Sequence, residues 1–444
     1  MKRKIMAAIA VILTFSVSSC GNLSRPDPNT INKIEDESSY SPRRWHYQDD
    51  DTTSDEESQA DNKIEYSPEE DPEKFIKATI KNMTLEEKIG QLFIVRADAL
   101  ETGYDNKTVN DDTIGGVTYV DEMMVKALKK YNVGGITLKE KNIIDEDKLI
   151  ELTTGLQDNS KYPLFIGVDE IGGDNATIAN NVNFAVPLFD NMDAVKTAKN
   201  AKKLGKTIGR YLVSYGVNLD FAPVADVSED SKKIGSKIFS DDPLTVDSLV
   251  EAEIDGLHES RIMTAVGHFP GYGDDNADGE DVPKNDSEWD EIMDNSGTAF
   301  TTALKKSDML MIGHILLPEV SDDELPASMS KQVIQDKIRD ELGYKGVIIT
   351  DAMSAKCITN NYIKRECAVN AIIAGADIVL MPYDLEDSID AVLKAVDEGK
   401  ISESMINKRV ERILTLKVRR GLFDDHSSDN DTSGEDTVSS SAEE

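Results

Sequence analysis

The sequence predicts an α/β protein built as a single (β/α)8 TIM-like barrel. Eight short apolar runs, most of them continuous in Val, Ile and Leu without period-two alternation, follow one another through the middle of the chain. Such runs are typical of parallel strands covered on both faces. Helix-length segments separate most of them, and eight strands alternating with helices close naturally into a barrel. An open doubly wound sheet is the alternative, because periodicity alone does not distinguish a closed ring from a sheet with free edges.

The predicted elements follow in chain order. The first predicted helix opens at Thr84–Glu87, where the Thr84 side chain and Glu87 can satisfy each other's free amides as a capping box. The predicted strands lie near 93–96, 134–138, 163–169, 218–226, 264–269, 309–315, 346–351 and 376–381.

The start of the chain resembles a bacterial export and lipidation signal. A basic start, Lys2–Lys4, precedes an apolar stretch, Ile5–Val17, that is too short to stay in a bilayer as a spanning helix. The run Val17–Cys20 resembles a lipoprotein processing site, in which the cysteine receives lipid. We therefore expect residues 1–19 to be removed and Cys20 to anchor an exported, extracytoplasmic protein to the membrane. The alternative is a plain signal peptide with an incidental cysteine.

Charge divides the chain into an acidic domain between two more acidic ends. Of the formal net charge of −35, residues 21–72 contribute −10 and residues 424–444 contribute −8. Both segments lack a sustained apolar period, so residues 20–72 and 424–444 are predicted to be a disordered tether and tail around a domain at 73–423. The domain is itself acidic, which makes nucleic acid and anionic membrane faces poor partners and leaves membrane contact to the lipid anchor.

Five predicted strands end in a polar residue: Asp169, Asp226, His268, His314 and Asp351. In a barrel the carboxyl ends of the strands converge on one mouth, where catalytic groups lie. Each of these residues alone could instead start a loop or cap a helix. Five together favour a site, and lone histidines at strand ends are more often hydrogen-bonded groups than metal ligands.

Four motifs give the chain a family resemblance. The runs Val168–Gly173, Asn218–Asp226, Gly267–Gly273 and Gly346–Met353, in this order and spacing, resemble glycoside hydrolase family 3, in particular its β-N-acetylhexosaminidase branch, over residues 73–423. The resemblance implies a retaining exo-acting β-glycosidase acting on terminal amino sugars of cell-wall or other glycans. It implies no metal or organic cofactor, because two protein side chains suffice for this chemistry.

The resemblance also assigns the catalytic residues. By its motif, Asp351 is the nucleophile. The branch carries an Asp-Ser-His acid/base loop after its Lys-His-Phe-Pro-Gly-His-Gly motif, and the matching triplet here is Asp278-Gly279-Glu280. Glu280 is therefore the candidate acid/base, oriented by Asp278, whose charge would raise the pKa of a neighbouring acid. Alternatively, residues 274–281 form only a solvated acidic loop.

The predicted sugar-binding residues are Asp169, Lys237 and His268, carried over from the same motifs. Where the family has Gln-Glu-Gly-Gly-Arg, this chain has Glu170–Asp174, and Thr177 stands in place of a second arginine. The lost arginines remove hydrogen-bond donors, so an altered or weaker sugar subsite is expected. A catalytically silent sugar-binding or scaffold lipoprotein on the same barrel is the alternative function. Two further cysteines, Cys357 and Cys367, form no disulfide framework.

Overall fold

The computed structural model describes residues 63–67, 70–228, 236–273 and 279–424. Within these ranges the chain forms a ring of parallel strands surrounded by helices. The strands are β1 Phe93–Arg96, β2 Gly135–Thr137, β3 Phe165–Val168, β4 Leu219–Asp220, β5 Met263–Phe269, β6 Met309–Ile312, β7 Val347–Thr350 and β8 Val379–Leu380. Every predicted strand is present, so the strand prediction is confirmed.

The ring is closed, as the sequence predicts, and the open-sheet alternative is wrong. Each strand from β1 to β6 pairs in parallel with the next, and β1 also pairs with β8. The remaining junction, between β7 and β8, is a parallel bridge from Ile349 to Ile378. The Thr350 amide donates to the Ile378 carbonyl at 3.0 Å, and the Ile378 amide donates to the Ile348 carbonyl at 3.0 Å.

Helices cover the outside of the ring. They are α1 Pro72–Asn82, α2 Leu85–Gly90, α3 Asn106–Asn110, α4 Glu122–Tyr131, α5 Glu146–Asp158, α6 Ala198–Ser214, α7 Pro243–Glu259, α8 Trp289–Asp294, α9 Ala303–Lys306, the π-helical α10 Gln332–Glu341, α11 Lys356–Thr359, α12 Lys364–Ala374, α13 Leu385–Asp397 and α14 Glu403–Arg419. The capping box at Thr84 and Glu87 is present and begins α2. It does not begin the first helix, because α1 precedes it, capped by Asp71.

Two apolar clusters form the core. The smaller fills the inside of the ring with side chains such as Phe165, Leu219 and Met309, while the larger lies between the strands and the helices. Helix α14 closes the amino-terminal end of the ring, because its Ile413 and Leu416 belong to the inner cluster. The carboxyl ends of the strands therefore form the open mouth.

The packed part of the chain begins before the predicted boundary at residue 73. The Ile64 amide donates to the Lys161 carbonyl at 3.1 Å, and the Tyr66 amide donates to the Phe423 carbonyl at 3.4 Å. The Tyr66 ring lies 5.0 Å from that of Phe75. Residues 64–66 therefore pack against the barrel and are not part of a tether.

Several predictions for the ends fall outside the described ranges. Residues 1–62 and 425–444, with Cys20, the signal and most of the predicted tether and tail, are among them. None of the helices within the described ranges combines the length and apolar character that a membrane crossing requires. Cys357 and Cys367 are buried and are not joined in a disulfide, in agreement with the sequence prediction.

Candidate active site

The mouth of the barrel brings the predicted polar strand ends together. Asp351 directly follows β7, Asp169 directly follows β3, and His268 is the second-to-last residue of β5. Asp351 is close enough to both His268 and Asp169 to change their pKa values through its charge. Three separate strands therefore supply one cluster, as the sequence predicts.

Asp351 lies at the centre of this cluster as an ionised carboxylate. The Ala352 amide donates to its Oδ1 at 2.7 Å, and the Tyr272 hydroxyl donates to its Oδ2 at 2.7 Å. Burial raises the pKa of Asp351, but the charge of His268 and the hydrogen bond from Tyr272 outweigh it and lower the pKa to about 2. The carboxylate is therefore charged at neutral pH and ready to act as a nucleophile.

Asp226 holds His268 and Tyr272 in place. Its Oδ2 lies 2.7 Å from Nδ1 of His268, and its Oδ1 accepts a hydrogen bond from the Tyr272 amide at 2.9 Å. Burial lowers the pKa of His268, but the charges of Asp226 and Asp351 raise it to about 9. His268 is therefore an imidazolium at neutral pH, with Nδ1–H donated to Asp226 and Nε2–H left for a ligand.

His314 positions the backbone beside the nucleophile. Its Nδ1 lies 2.7 Å from the Ser328 hydroxyl, and its Nε2 lies 3.0 Å from the Ala352 carbonyl. Burial lowers the pKa of His314, so the ring is neutral. Nε2–H then donates to Ala352, and Nδ1 accepts from Ser328. His314 thus holds Ala352, the residue whose amide hydrogen-bonds to Asp351, rather than binding a metal.

A second charged pair lies beside the nucleophile. Lys139 Nζ lies 2.5 Å from Oδ2 of Asp169. Burial raises the pKa of Asp169, but the charges of Lys139 and Lys237 outweigh it and lower the pKa. The structure therefore brings Asp169, Lys237 and His268 into one neighbourhood with Asp351, and adds Lys139, which the sequence analysis did not identify.

Residues 170–177, which depart from the family motif, form hydrogen bonds within the protein. Glu170 is buried, and its carboxylate accepts hydrogen bonds from the Tyr211 hydroxyl at 2.6 Å and from the amides of Ile178 and Ala179 at 2.7 and 2.9 Å. Thr177, in place of an arginine, donates its hydroxyl to the Asp169 carbonyl at 2.7 Å. These residues fix the loop after β3 and supply no cationic donor to the mouth.

Of the two predicted acid/base residues, only Glu280 lies in the part of the chain that the structure describes, and its side chain makes no hydrogen bond to this cluster. Asp278 lies outside the described residues. The Glu280 side chain is exposed, and its backbone carbonyl accepts a hydrogen bond from Nδ2 of Asn361 at 2.8 Å. Asn361 lies just after α11, the short helix that follows β7, so Glu280 lies on a loop joined to the same rim as Asp351. The assignment of Glu280 as acid/base, oriented by Asp278, remains a prediction.

Tyr272 is the functional residue that sequence reasoning missed within a quoted motif. It occupies the position where the family motif Lys-His-Phe-Pro-Gly-His-Gly has its second histidine. That difference could have identified it as a contact of the nucleophile. Across the described ranges, no group of three His, Cys, Asp or Glu side chains is arranged to hold a metal ion.

Comparisons with known proteins agree with this geometry. The family model described as Glycosyl hydrolase family 3 N terminal domain matches residues 84–416. Beta-hexosaminidase A of Pseudoalteromonas piscicida is 28% identical over 349 residues, which cover 71% of this chain and 58% of that protein. Beta-hexosaminidase of Tolumonas auensis is 30% identical over 263 residues, 57% of this chain and 76% of that protein.

A solved structure shows the same fold. A glycoside hydrolase family 3 beta-N-acetylglucosaminidase from Paenibacillus sp. str. FPU-7 matches with a TM-score of 0.69 at 28% identity, and the match covers 81% of this chain and 66% of that one. This chain thus spans somewhat less than two thirds of the length of that structure and of the Pseudoalteromonas enzyme.

Proposed function

Because the chain belongs to glycosyl hydrolase family 3, we propose that it is a retaining exo-acting β-glycosidase that removes terminal β-linked N-acetylhexosamine residues from muropeptides or other glycans. The observation that carries the proposal is the half-buried, ionised Asp351 held by Tyr272 and Ala352 at the mouth. The names of the relatives, beta-hexosaminidase and beta-N-acetylglucosaminidase, support the sugar class.

In the first step Asp351 attacks the anomeric carbon of the terminal sugar. Its carboxylate oxygen forms a bond to that carbon while the bond to the leaving oxygen breaks, which gives a glycosyl ester and inverts the carbon once. The departing oxygen takes a proton from the general acid. Tyr272 and the Ala352 amide hold the carboxylate so that one oxygen lone pair is directed into the mouth.

In the second step water cleaves the glycosyl ester. The group that gave its proton now removes one from water, whose oxygen attacks the anomeric carbon and releases Asp351 as a carboxylate. Glu280 is our candidate for this group, with Asp278 beside it in the chain. An exposed Glu280 on a loop joined to the rim through Asn361 fits a residue that reaches the leaving oxygen only when a sugar is bound.

Three side chains are suited to holding the sugar. Asp169 accepts hydrogen bonds from hydroxyls, whereas Lys237 and the Nε2–H of His268 donate them. Lys139 keeps Asp169 ionised and therefore acts on the sugar through it.

The test is turnover of aryl N-acetyl-β-hexosaminides. Asp351→Asn is expected to abolish activity because no other carboxylate is held in this position, while the exposed Asp397→Asn serves as the matched control. Glu280→Gln is expected to lower activity by about 10²- to 10⁴-fold on poor leaving groups, with partial rescue by azide. Wild-type activity in Asp351→Asn would refute the nucleophile.

Other outcomes separate the remaining alternatives. If Glu280→Gln matches wild type on every substrate while Asp351→Asn is inactive, another group is the acid/base. If the wild-type chain turns over nothing but binds N-acetylglucosamine in a titration, the protein is a silent sugar binder on the same barrel.

We also propose that the protein is exported and held at the membrane through lipid on Cys20, on the strength of the basic start, the apolar stretch and the Val17–Cys20 run. Cys20→Ala is expected to move the protein from the membrane fraction to the soluble fraction after expression in a bacterium. Equal membrane retention of the variant would contradict the anchor.

A further inference from the structure

A cationic cavity lies at the end of the barrel opposite the candidate active site. Its volume is about 280 Å³, and it opens between the amino ends of β6 and β7 and one face of α14. Lys345 lines it from the turn before β7, and Lys408, Arg412 and Arg419 line it from α14. The three α14 residues are four and seven apart, which places them on one side of the helix.

Asp308, one of the acidic side chains in the wall of the cavity, is already neutralised by cationic neighbours. Asp308 accepts hydrogen bonds from Arg419 at 2.9 Å and from Nε and Nη2 of Arg420 at 2.7 Å each. Nε2 of His258 lies 3.0 Å from its other oxygen. Two guanidinium groups and an imidazole therefore face one carboxylate, and the excess charge there is positive.

Asp377, behind the cavity, is likewise one carboxylate paired with two arginines. Arg412 approaches its Oδ1 with Nε at 2.8 Å and Nη2 at 2.6 Å, and Arg339 donates to its Oδ2 at 2.6 Å. Arg412 is thus shared between a carboxylate that already has an arginine and the open space of the cavity.

The two lysines of the wall have no acidic partner among the described residues. Lys345 and Lys408 are both exposed, and neither forms an ion pair or hydrogen bond with another described side chain. Glu411 is the one further carboxylate in the lining. In a chain with a net charge of −35, this concentration of cations needs a compensating anion.

We propose that this cavity is a binding site for a phosphoryl group, carried either by a soluble molecule or by a lipid headgroup. Arginine forks fixed by Asp308 and Asp377 present remaining N–H donors in a planar arrangement that matches phosphate oxygens, and the two lysines add charge without requiring a fixed geometry. The site lies at the opposite end of the barrel from Asp351 and does not depend on glycosidase activity. The chain enters the fold at the same end, since Ile64 contacts Lys161 just before β3.

The test uses the full-length chain and three probes: inorganic phosphate, pyrophosphate, and vesicles of phosphatidylglycerol compared with phosphatidylcholine. The variant is Lys345→Gln with Lys408→Gln, which leaves the arginine pairs with Asp308 and Asp377 intact. The matched control is Lys199→Gln with Lys331→Gln, two exposed lysines near the amino ends of α6 and α10 that carry the same charge change.

We expect wild type to bind pyrophosphate in an isothermal titration, with affinity that falls as salt is raised, and the cavity variant to bind at least tenfold more weakly than the control. Cavity-dependent preference for phosphatidylglycerol vesicles would identify the lipid source, and cavity-dependent binding of soluble probes alone would identify the soluble source. No binding of any probe, or equal weakening in variant and control, would overturn the proposal.

Discussion

Asp351 is held in its charged form by neighbours that come from other strands. Tyr272 follows β5 and is itself fixed by Asp226, while His314 follows β6 and fixes the Ala352 peptide. The hydroxyl of Tyr272 accepts a hydrogen bond from the His314 amide at 2.6 Å, so its own proton is directed to Asp351. The backbone amide of His314 therefore sets the direction of the hydrogen bond that Tyr272 donates to the nucleophile.

Removing that hydroxyl tests the arrangement. Tyr272→Phe is expected to lower kcat by about tenfold to a hundredfold, because a hydrogen bond to a charged group contributes about 1.5 to 3 kcal/mol. The pKa of Asp351 is expected to rise above about 2, so the acidic limb of the pH–rate profile moves to higher pH. Tyr131→Phe, on α4 away from the mouth, is the control. An unchanged kcat and an unchanged acidic limb would remove Tyr272 from the mechanism.

The sequence identifies the site residues that lie at the end of a predicted strand, and misses those that lie in the loops beyond. Asp351 and His268 end apolar strands, so their convergence at a mouth can be predicted from the pattern. Lys139 and Tyr272 lie in loops beyond the strands, and loops have no repeating apolar pattern from which the direction of a side chain can be predicted. Their contacts with Asp169 and Asp351 become visible only when the loops are placed in three dimensions.

At the level of elements, α6 and α7 approach each other closely because glycines line their contact. A Cβ on Gly205 would lie 2.4 Å from the Glu253 carbonyl oxygen, and one on Gly256 would lie 2.3 Å from the Lys202 carbonyl oxygen. Both neighbours are backbone atoms of a packed helix, so neither can move aside alone. The two helices can keep this distance only with glycine at these positions.

Gly205→Ala is expected to lower the free energy of unfolding by about 1 to 3 kcal/mol, the cost of overpacking, although alanine favours a helix by about 1 kcal/mol. Gly115→Ala is the control, because a Cβ there would meet nothing within 4 Å. Urea denaturation of both variants measures the difference. Equal midpoints for Gly205→Ala and wild type would mean that the helices separate without cost.

Elements that carry a local sequence pattern can be predicted, whereas segments held only by contacts with residues distant in the sequence cannot. The capping box of α2 is a local pattern of two residues, and the structure has it where the sequence places it. Residues 64–66 carry two apolar side chains in an acidic stretch, which gives no period. Their packing depends on Phe75 and Phe423, which no local pattern connects to them.

On the scale of the whole molecule, a buried lysine closes the amino-terminal end of the barrel. Lys417 is fully buried, and its Nζ donates to Gln91 Oε1 and to the Gly134 carbonyl, each at 2.9 Å. Burial lowers the pKa of Lys417 to about 7. A neutral amine has two N–H donors, which is the number of acceptors present. In the sequence Lys417 resembles any surface lysine on a helix.

This lysine is expected to make stability depend on pH. Its pKa is about 7 when folded and 10.5 when unfolded, so between these values the unfolded chain binds more protons and the free energy of unfolding rises with pH. The contribution is at most about 1.4 kcal/mol per pH unit. Lys417→Met is expected to reduce this slope between pH 7 and 10, whereas the exposed Lys126→Met keeps it. Urea denaturation across that range gives the slopes, and identical slopes in all three proteins would contradict a neutral Lys417.

The contact between Tyr66 and Phe423 brings the first and last packed segments of the barrel side by side. A polypeptide whose folded ends meet can be rejoined there and opened elsewhere, as a circular permutant, without changing which strands are neighbours. A short peptide linker from the end of α14 to residue 64 would replace both acidic ends. The order of the strands around the ring would stay the same, although the permuted chain could begin before any of the eight strands.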